Sequence, residues 1–461
     1  MDITLLAARE GDGSEEGNSR RPPFKTLKGG GERECPGARE QGGPESSVWE
    51  IAHEAAELPQ DAYPSSRVFA TLYPEVEAER TLVMVSPIVY SCDSHVVEGP
   101  EVFDGLVEKY GDRAPRVVDG WKGREGVYLA WPQIDFAMLV GRLGIAGANL
   151  NLPETKEKMQ RGWDLINPGV KDPVARLTEQ DTDGVVGEVM YPSINMLTYM
   201  VDDVEVVNAV FQRHNDWIRD YCSHNPDRLI GIGCLTLRDV DAGIAELERC
   251  AKMGIKGVAI PCTAPKDLPY SDPYYEPFWT AAEEVGMPLT MHIFCGSEPG
   301  MGLPKEWDEV VSYTLAHGAA WNTISNLVTS GVCERHPNLR FVMAEWETGW
   351  IAHVLERWNH AYYRARAVDR TPELPMLPTE YFNRNFNVTF EDDAIGVQTR
   401  HGIGVDNLLW GNDYPHHDAI WPNSRRILDE IMEGVPQEDV DKMVWENVQQ
   451  LYNIDQSALP V

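Results

Sequence analysis

Positive charge is scarce in this sequence. Forty Lys and Arg stand against 73 Asp and Glu, a formal net charge of −33 and a pI near 4.7. So acidic a chain offers no broad positive surface, which argues against nucleic acid or an anionic membrane as partner. Long apolar runs are missing too. None reaches the roughly 18–20 residues that cross a bilayer. The first residues carry no apolar core of a secretion signal. A cytoplasmic protein acting on a small molecule is expected. Paired cysteine motifs are also lacking. Cys35, Cys92, Cys222, Cys234, Cys250, Cys262, Cys295 and Cys333 are scattered, with no Cys-x-x-Cys. They read as reduced thiols, mostly packing, and not as a disulfide framework or zinc knuckle. Neither Gly-x-Gly-x-x-Gly nor Gly-x-x-x-x-Gly-Lys occurs at a strand-to-helix turn, so dinucleotide and P-loop folds are unsupported.

What is present falls into two parts. Residues 1–82 are rich in Gly, Pro and charge, as in Glu10-Gly-Asp-Gly-Ser-Glu-Glu-Gly17 and Gly29-Gly-Gly31. With little periodic apolar content, this leader cannot offset the entropy of ordering and is expected to be disordered. Met84 is a candidate alternative start. From residue 83 to about 455, short apolar runs alternate with helical patterns. The strand candidates are Val83–Tyr90, Asp183–Tyr191, Leu229–Leu235, Lys256–Pro261, Pro288–Ile293, Arg340–Glu345, Asn385–Thr389 and Leu408–Trp410. Helices are expected between them, including Val204–His224, Ala316–Cys333 and Asp439–Tyr452. Strand–helix alternation implies a parallel sheet, and eight repeats over this length predict an α/β fold of the (β/α)8 barrel type. Residues 98–182 form an insertion expected to lie over the barrel mouth.

The polar residues at the strand ends form a pattern. Tyr90-Ser-Cys-Asp-Ser-His95 puts Asp93 and His95 two apart at the end of the first strand, on one side of it. His292 ends the fifth strand and Glu345 the sixth. Asp413 stands just past the eighth, in Gly411-Asn-Asp-Tyr-Pro-His-His417. A barrel of this kind builds its active site at the C-terminal ends of its strands, so these residues should converge. Asp93, His95, His292 and Asp413 are two imidazoles and two carboxylates, a donor set for one divalent ion with a coordination position left open. Zn²⁺ is the first expectation and Mn²⁺ the second. Each piece alone is more often a cap or a core histidine; the weight lies in the set. His336 enters the sixth strand at the wrong end of the barrel. His214 and His224 are read as structural, on a surface helix.

Cys92-Asp-Ser-His-Val-Val-Glu98, Asn225-Pro-Asp-Arg-Leu229, Pro288-Leu-Thr-Met-His292, His336-Pro-Asn-Leu-Arg-Phe-Val342 and Trp410-Gly-Asn-Asp-Tyr-Pro-His416 carry a resemblance. The sequence resembles the amidohydrolase-related family of aminocarboxymuconate-semialdehyde decarboxylase-like and γ-resorcylate decarboxylase-like metalloenzymes, over about residues 88–452. The resemblance implies that Asp93 and His95, His292 and Asp413 hold the metal. It also exposes a departure: Glu345 stands where many members carry a catalytic histidine. A buried carboxyl can act as acid or base, so Asp413 and Glu345 are the candidate catalytic pair. His317, His416 and His417 are substitutes.

Two reactions fit: nonhydrolytic decarboxylation of a small aromatic or conjugated acid, which the resemblance favours, and hydrolysis of an amide or lactone by an activated water. A third reading, a barrel without catalysis serving as scaffold, follows from the loss of the histidine. Trp346, Arg142 and His416 are candidate substrate contacts, and Trp121, Trp131 and Trp421 are further flat surfaces for a conjugated acid. The Gly296–Pro304 loop is expected to shape the pocket. A homodimer is implied only by the family.

Overall fold

The computed structural model describes residues 86–296, 313–371 and 373–460. The leader with Met84, and all but the first residue of the Gly296–Pro304 loop, lie outside these ranges. In chain order the strands are β1 (Tyr90–Val96), β2 (Arg116–Trp121), β3 (Arg124–Trp131), β4 (Phe136–Leu139), β5 (Gly187–Pro192), β6 (Leu229–Cys234), β7 (Gly257–Ala259), β8 (Leu289–His292), β9 (Phe341–Ala344), β10 (Phe386–Phe390) and β11 (Leu408–Trp410). Eight of them form one parallel sheet in the order β1-β5-β6-β7-β8-β9-β10-β11. The ring is completed where the loop after β11 bonds to β1. Asn412 and Asp413 N–H donate to the Asp93 carbonyl at 3.2 and 2.9 Å, and His95 N–H to the Tyr414 carbonyl at 2.6 Å. This is the (β/α)8 barrel that the alternating pattern predicts.

These strands read as short apolar runs because one face lines the barrel and the other packs on helices, so both are buried. Every residue of β1, β5, β6, β7, β8, β9 and β11 is buried. The helix Val204–Cys222 shows the covering layer. Asp203 caps it by accepting from Val206 N–H. Val206, Val210, Ile218 and Tyr221 are buried on its inner face, each worth about 1.5–3 kcal/mol when fully enclosed. His214 also lies on that inner face, fully buried, with Nε2 3.2 Å from the Ile232 carbonyl and Nδ1 3.5 Å from Glu98 Oε1. The surface placement expected for it is therefore corrected: helical periodicity puts residue 214 in phase with Val210 and Ile218.

Two other boundaries differ from expectation. β1 starts at Tyr90 and carries Asp93 and His95 inside it, not past its end. Its register against β5 shifts between Ser91 and Ser94, a bulge that contains Asp93. Bulges re-aim side chains, so Asp93 reaches the mouth by an irregularity that simple alternation does not show. Ala316–Cys333 is two helices, His317–Thr329 and Val332–Arg335, separated at Gly331, whose φ of 81° breaks the run.

Within residues 98–182, β2, β3 and β4 form a separate antiparallel sheet. This segment touches the loop after β11: Ala146 N–H donates to the Pro415 carbonyl at 3.0 Å. Its last part, the helix Pro173–Asp183, belongs to the barrel wall. Arg176 is fully buried there. Its Nε bonds Glu188 Oε2 at 2.5 Å, and its Nη1 and Nη2 reach the His95 and Tyr414 carbonyls at 2.7 and 3.4 Å. One guanidinium thus ties the β1 and β11 ends together beneath the mouth. Removing one partner of a buried ion pair typically costs about 3–5 kcal/mol, because the other charge is stranded. We expect Arg176→Met to lose stability of that order in chemical denaturation. A loss below about 1 kcal/mol would show that the Arg176–Glu188 pair contributes little net stability.

Candidate active site and metal centre

The strand ends bring together the residues singled out in the sequence. His95 Nε2 lies 3.2 Å from His292 Nε2, 3.3 Å from Asp413 Oδ1, 3.7 Å from Asp93 Oδ1 and 3.8 Å from Glu345 Oε2. His292 Nε2 lies 3.4 Å from Asp93 Oδ1 and 3.3 Å from Glu345 Oε2. Asp93, His95, His292 and Asp413 are all buried. Glu345 is the more open, its side chain 17% exposed, which puts it on the side a substrate would approach.

Hydrogen bonds behind the cluster set its orientation. His95 Nδ1 faces the Pro192 carbonyl at 3.1 Å and His292 Nδ1 the Ile293 carbonyl at 2.9 Å. A carbonyl only accepts, so both Nδ1 atoms carry a proton and both Nε2 atoms point inward, free to offer a lone pair to an ion once deprotonated. Thr389 hydroxyl donates to Asp93 Oδ2 at 2.6 Å and receives Glu345 N–H at 2.7 Å. That leaves Asp93 Oδ1 buried without a hydrogen bond, and Asp413 Oδ1 buried with only the His416 Nδ1 beside it, at 2.9 Å and off a hydrogen-bonding line. Two imidazole Nε2 atoms 3.2 Å apart beside two buried carboxylate oxygens are a poor arrangement for an apolar core and a good one for a cation.

Electrostatics agree. Burial, followed by Asp413, pushes the Glu345 carboxyl well above its usual range. Burial, followed by Asp93 and Asp418, does the same to Asp413. Burial pulls His292 down, but Asp93 and Glu345 outweigh it and hold it at about 9. Burial and the neighbouring imidazoles His416 and His292 pull His95 well below its usual value. The protein alone balances this cavity with protons; one divalent ion would replace them. The donor set therefore fits a metal: among the described residues Asp93, His95 and His292 form one group of converging ligand atoms, and His95, Asp413, Glu345 and His416 another, the atoms of each lying within 4.8 Å of one another.

Several residues are placed where sequence reasoning did not put them. His416 is buried, stacked on His95 with centroids 4.0 Å apart. Its Nδ1 is 2.9 Å from Asp413 Oδ1 and its Nε2 2.9 Å from Ser193 Oγ. Ser193 carried no motif and was missed. His317 is half-buried against Trp350, centroids 5.3 Å apart, and His417 is exposed. His336 pairs with Glu276 and Glu283, at the N-terminal end of β9. Trp346 is buried with its indole N–H on the Met291 carbonyl; it backs β8 and leaves little surface for a ligand. Trp131 is likewise buried, bonded to Thr198. Trp421 bonds the Glu179 carbonyl and packs on Tyr414. Arg142 is partly buried in the turn Val140–Leu143. Glu347 and Glu391 were not anticipated. Both are raised well above the usual carboxyl range, by burial first, and they add acid to the mouth.

A parallel eight-stranded barrel with imidazoles and carboxylates converging at the strand C-termini defines a metal-dependent barrel enzyme of the hydrolase type. The amidohydrolase family profile matches residues 179–454, and the chain belongs to that family. Among curated proteins it is 26% identical over 277 residues to the γ-resorcylate decarboxylase of Rhizobium radiobacter, covering 55% of this chain and 81% of that one. Among solved structures, an amidohydrolase from Mycobacterium avium subsp. paratuberculosis superposes with a TM-score of 0.65 at 19% identity, over 80% of this chain and 99% of that one. A dihydroxybenzoic acid decarboxylase from Polaromonas sp., with bound manganese and 2-nitroresorcinol, superposes with a TM-score of 0.54 at 17% identity, over 81% and 99%.

Proposed function

We propose that this chain is a metal-dependent carboxy-lyase that removes CO₂ from a small aromatic or conjugated carboxylic acid without hydrolysis. The observation that carries the reading is the mouth itself: a closed ligand set with a third carboxylate, Glu345, on its open side, in a barrel whose curated relatives include γ-resorcylate decarboxylase. Bound there, a divalent ion would supply positive charge for the substrate carboxylate and for the charge that develops on decarboxylation. Zn²⁺ matches the two imidazoles, and Mn²⁺ matches the oxygen share and the manganese of the Polaromonas enzyme.

The chain's own residues do the rest. Asp93, His95, His292 and Asp413 hold the ion. Glu345, protonated through burial, stands over the reacting carbon and donates the proton that replaces CO₂; Asp413 is its basic partner. Arg142 and His416 are proposed to meet the substrate's polar groups. An acidic chain of this kind works on small molecules away from nucleic acid and anionic membrane, and we place it in the cytoplasm, as a homodimer. Among the described residues no helix is long and apolar enough to cross a membrane.

Hydrolysis is the second reading, supported by Asp413, which can serve as base to a water beside the cluster. The two separate cleanly. Metal-loaded protein incubated with aromatic acids, 2,6-dihydroxybenzoate first, is expected to release CO₂ with no ¹⁸O from labelled water in the organic product. Solvent ¹⁸O in the product of an amide or lactone, with no CO₂ from any acid, would establish hydrolysis instead.

A further inference from the structure

The backbone is strained at the mouth. Of the described non-glycine residues with positive φ, four lie within three residues of the end of a barrel strand: Phe294 (64°), Glu345 (59°), Glu347 (50°) and Asp413 (51°). Three are carboxylates of the acidic mouth. Phe294 is the exception, and it is the most unfavourable of the four, because a bulky side chain at positive φ is a genuine outlier. It occupies the third position of the tight turn His292–Cys295, which is closed by Cys295 N–H donating to the His292 carbonyl at 3.2 Å. Glycine or asparagine is the usual residue at such a position.

Burial does not account for the phenylalanine. Phe294 is 41% exposed, although its neighbours Ile293 and Cys295 are buried. Its ring lies 6.2 Å from that of Tyr313, at 38° between planes, and Tyr313 is 42% exposed. Glu345 first, then burial, Asp418, Asp413 and Glu391, push the Tyr313 hydroxyl well above the usual range. Two exposed aromatic rings therefore stand together, one of them two residues past His292, the last residue of β8. Trp131, Trp346 and Trp421, which the sequence suggested for this task, are instead bonded within the fold.

Strain at a position that stays exposed among the described residues points to a position shaped for a ligand. We infer that Phe294, with Tyr313, is the platform on which the substrate's flat ring stacks, and that it sets the preference for aromatic or conjugated acids over aliphatic ones. This rests on the aromatic-acid reading of the site. The strained turn brings the ring to the mouth while the same turn fixes His292, so the ring and its carboxylate are registered against one rigid element. Phe294 acts on binding and specificity, not on the ion.

The test uses the metal-loaded full chain, with 2,6-dihydroxybenzoate as aromatic probe and hexanoate as aliphatic control, both measured by calorimetry. Phe294→Gly relieves the strain and removes the ring. It is expected to keep its metal content and to melt no lower than the parent, yet to bind 2,6-dihydroxybenzoate about tenfold more weakly. Phe294→Tyr should restore binding to within about twofold. Equal affinity of parent and Phe294→Gly for the aromatic probe overturns the platform alone. A melting temperature several degrees lower in Phe294→Gly, with binding intact, shows that the ring serves packing and likewise overturns it. A parent that takes up metal but prefers hexanoate, or binds neither acid, overturns the platform together with the aromatic-acid reading. A parent that takes up no metal removes the metal site itself.

Discussion

His292→Ala and His95→Ala are expected to fold as barrels that no longer hold a divalent ion. Each imidazole is clamped at Nδ1 by a backbone carbonyl and presents Nε2 to the cluster, so its removal deletes a ligand without touching the seam of the barrel. Loss of a group that merely supports a ligand weakens metal binding about 10–100-fold; loss of a ligand should cost more than that. Metal content after dialysis, with the near-ultraviolet dichroism of both variants as a folding check, measures the effect. Unchanged stoichiometry in both would refute the site.

The same geometry predicts a pH dependence in the parent. Without an ion, His292 is held protonated up to about pH 9, and Asp413 and Glu345 are raised above the ordinary carboxyl range. An ion must displace the protons of its proposed ligands His292 and Asp413, while Glu345 keeps its own, so apparent affinity rises as pH rises towards 9, by about tenfold per pH unit for each proton released. Affinity that is flat between pH 6 and 9 would mean that His292 is neutral in the metal-free protein.

The second large effect falls on the two carboxylates at the ends of β9 and β11. Asp413 Oδ1 lies 3.3 Å from His95 Nε2 and lacks a hydrogen bond. Asp413→Asn should therefore lose turnover by about 10³-fold or more, together with part of its metal affinity. Glu345 is different. It is the most open of the three carboxylates and lies against His292 at 3.3 Å. Glu345→Gln keeps shape and hydrogen bonding but cannot give up a proton. It should retain the ion and lose turnover by about 10²–10⁴-fold, the range of a general acid. The acid works in its protonated form, so activity of the parent falls as pH rises through the Glu345 pKa, and the variant should lack that alkaline limb. A variant as active as the parent, with the same pH profile, would make Glu345 structural and move the acid to His416, the one substitute imidazole seen touching Asp413.

The fold class was written in the chain itself, because a strand buried on both faces must be a continuous apolar run and a crossover helix must carry an apolar stripe. Both signals are local, and the eight repeats follow from them. Asp93, His95, His292, Glu345 and Asp413 were legible for the same reason. Each sits at the end of an apolar run, and in a closed parallel barrel all strand ends meet. Tertiary structure alone decided how they meet. The bulge that aims Asp93 is a mismatch between β1 and β5, invisible in β1 by itself. Arg176, in a helix the sequence assigned to the insertion, bonds the His95 and Tyr414 carbonyls from a distance of 81 and 238 residues. Ser193 and His416 pair across 223 residues. His214 turned inward, and the tryptophans turned away from the mouth, because a side chain's face is set by what packs against its element. The positive φ of Phe294 also has no sequence signature, since local preference would put glycine there. What the chain records is which groups lie at which strand ends; orientation, burial and strain arise only when remote segments share one barrel mouth.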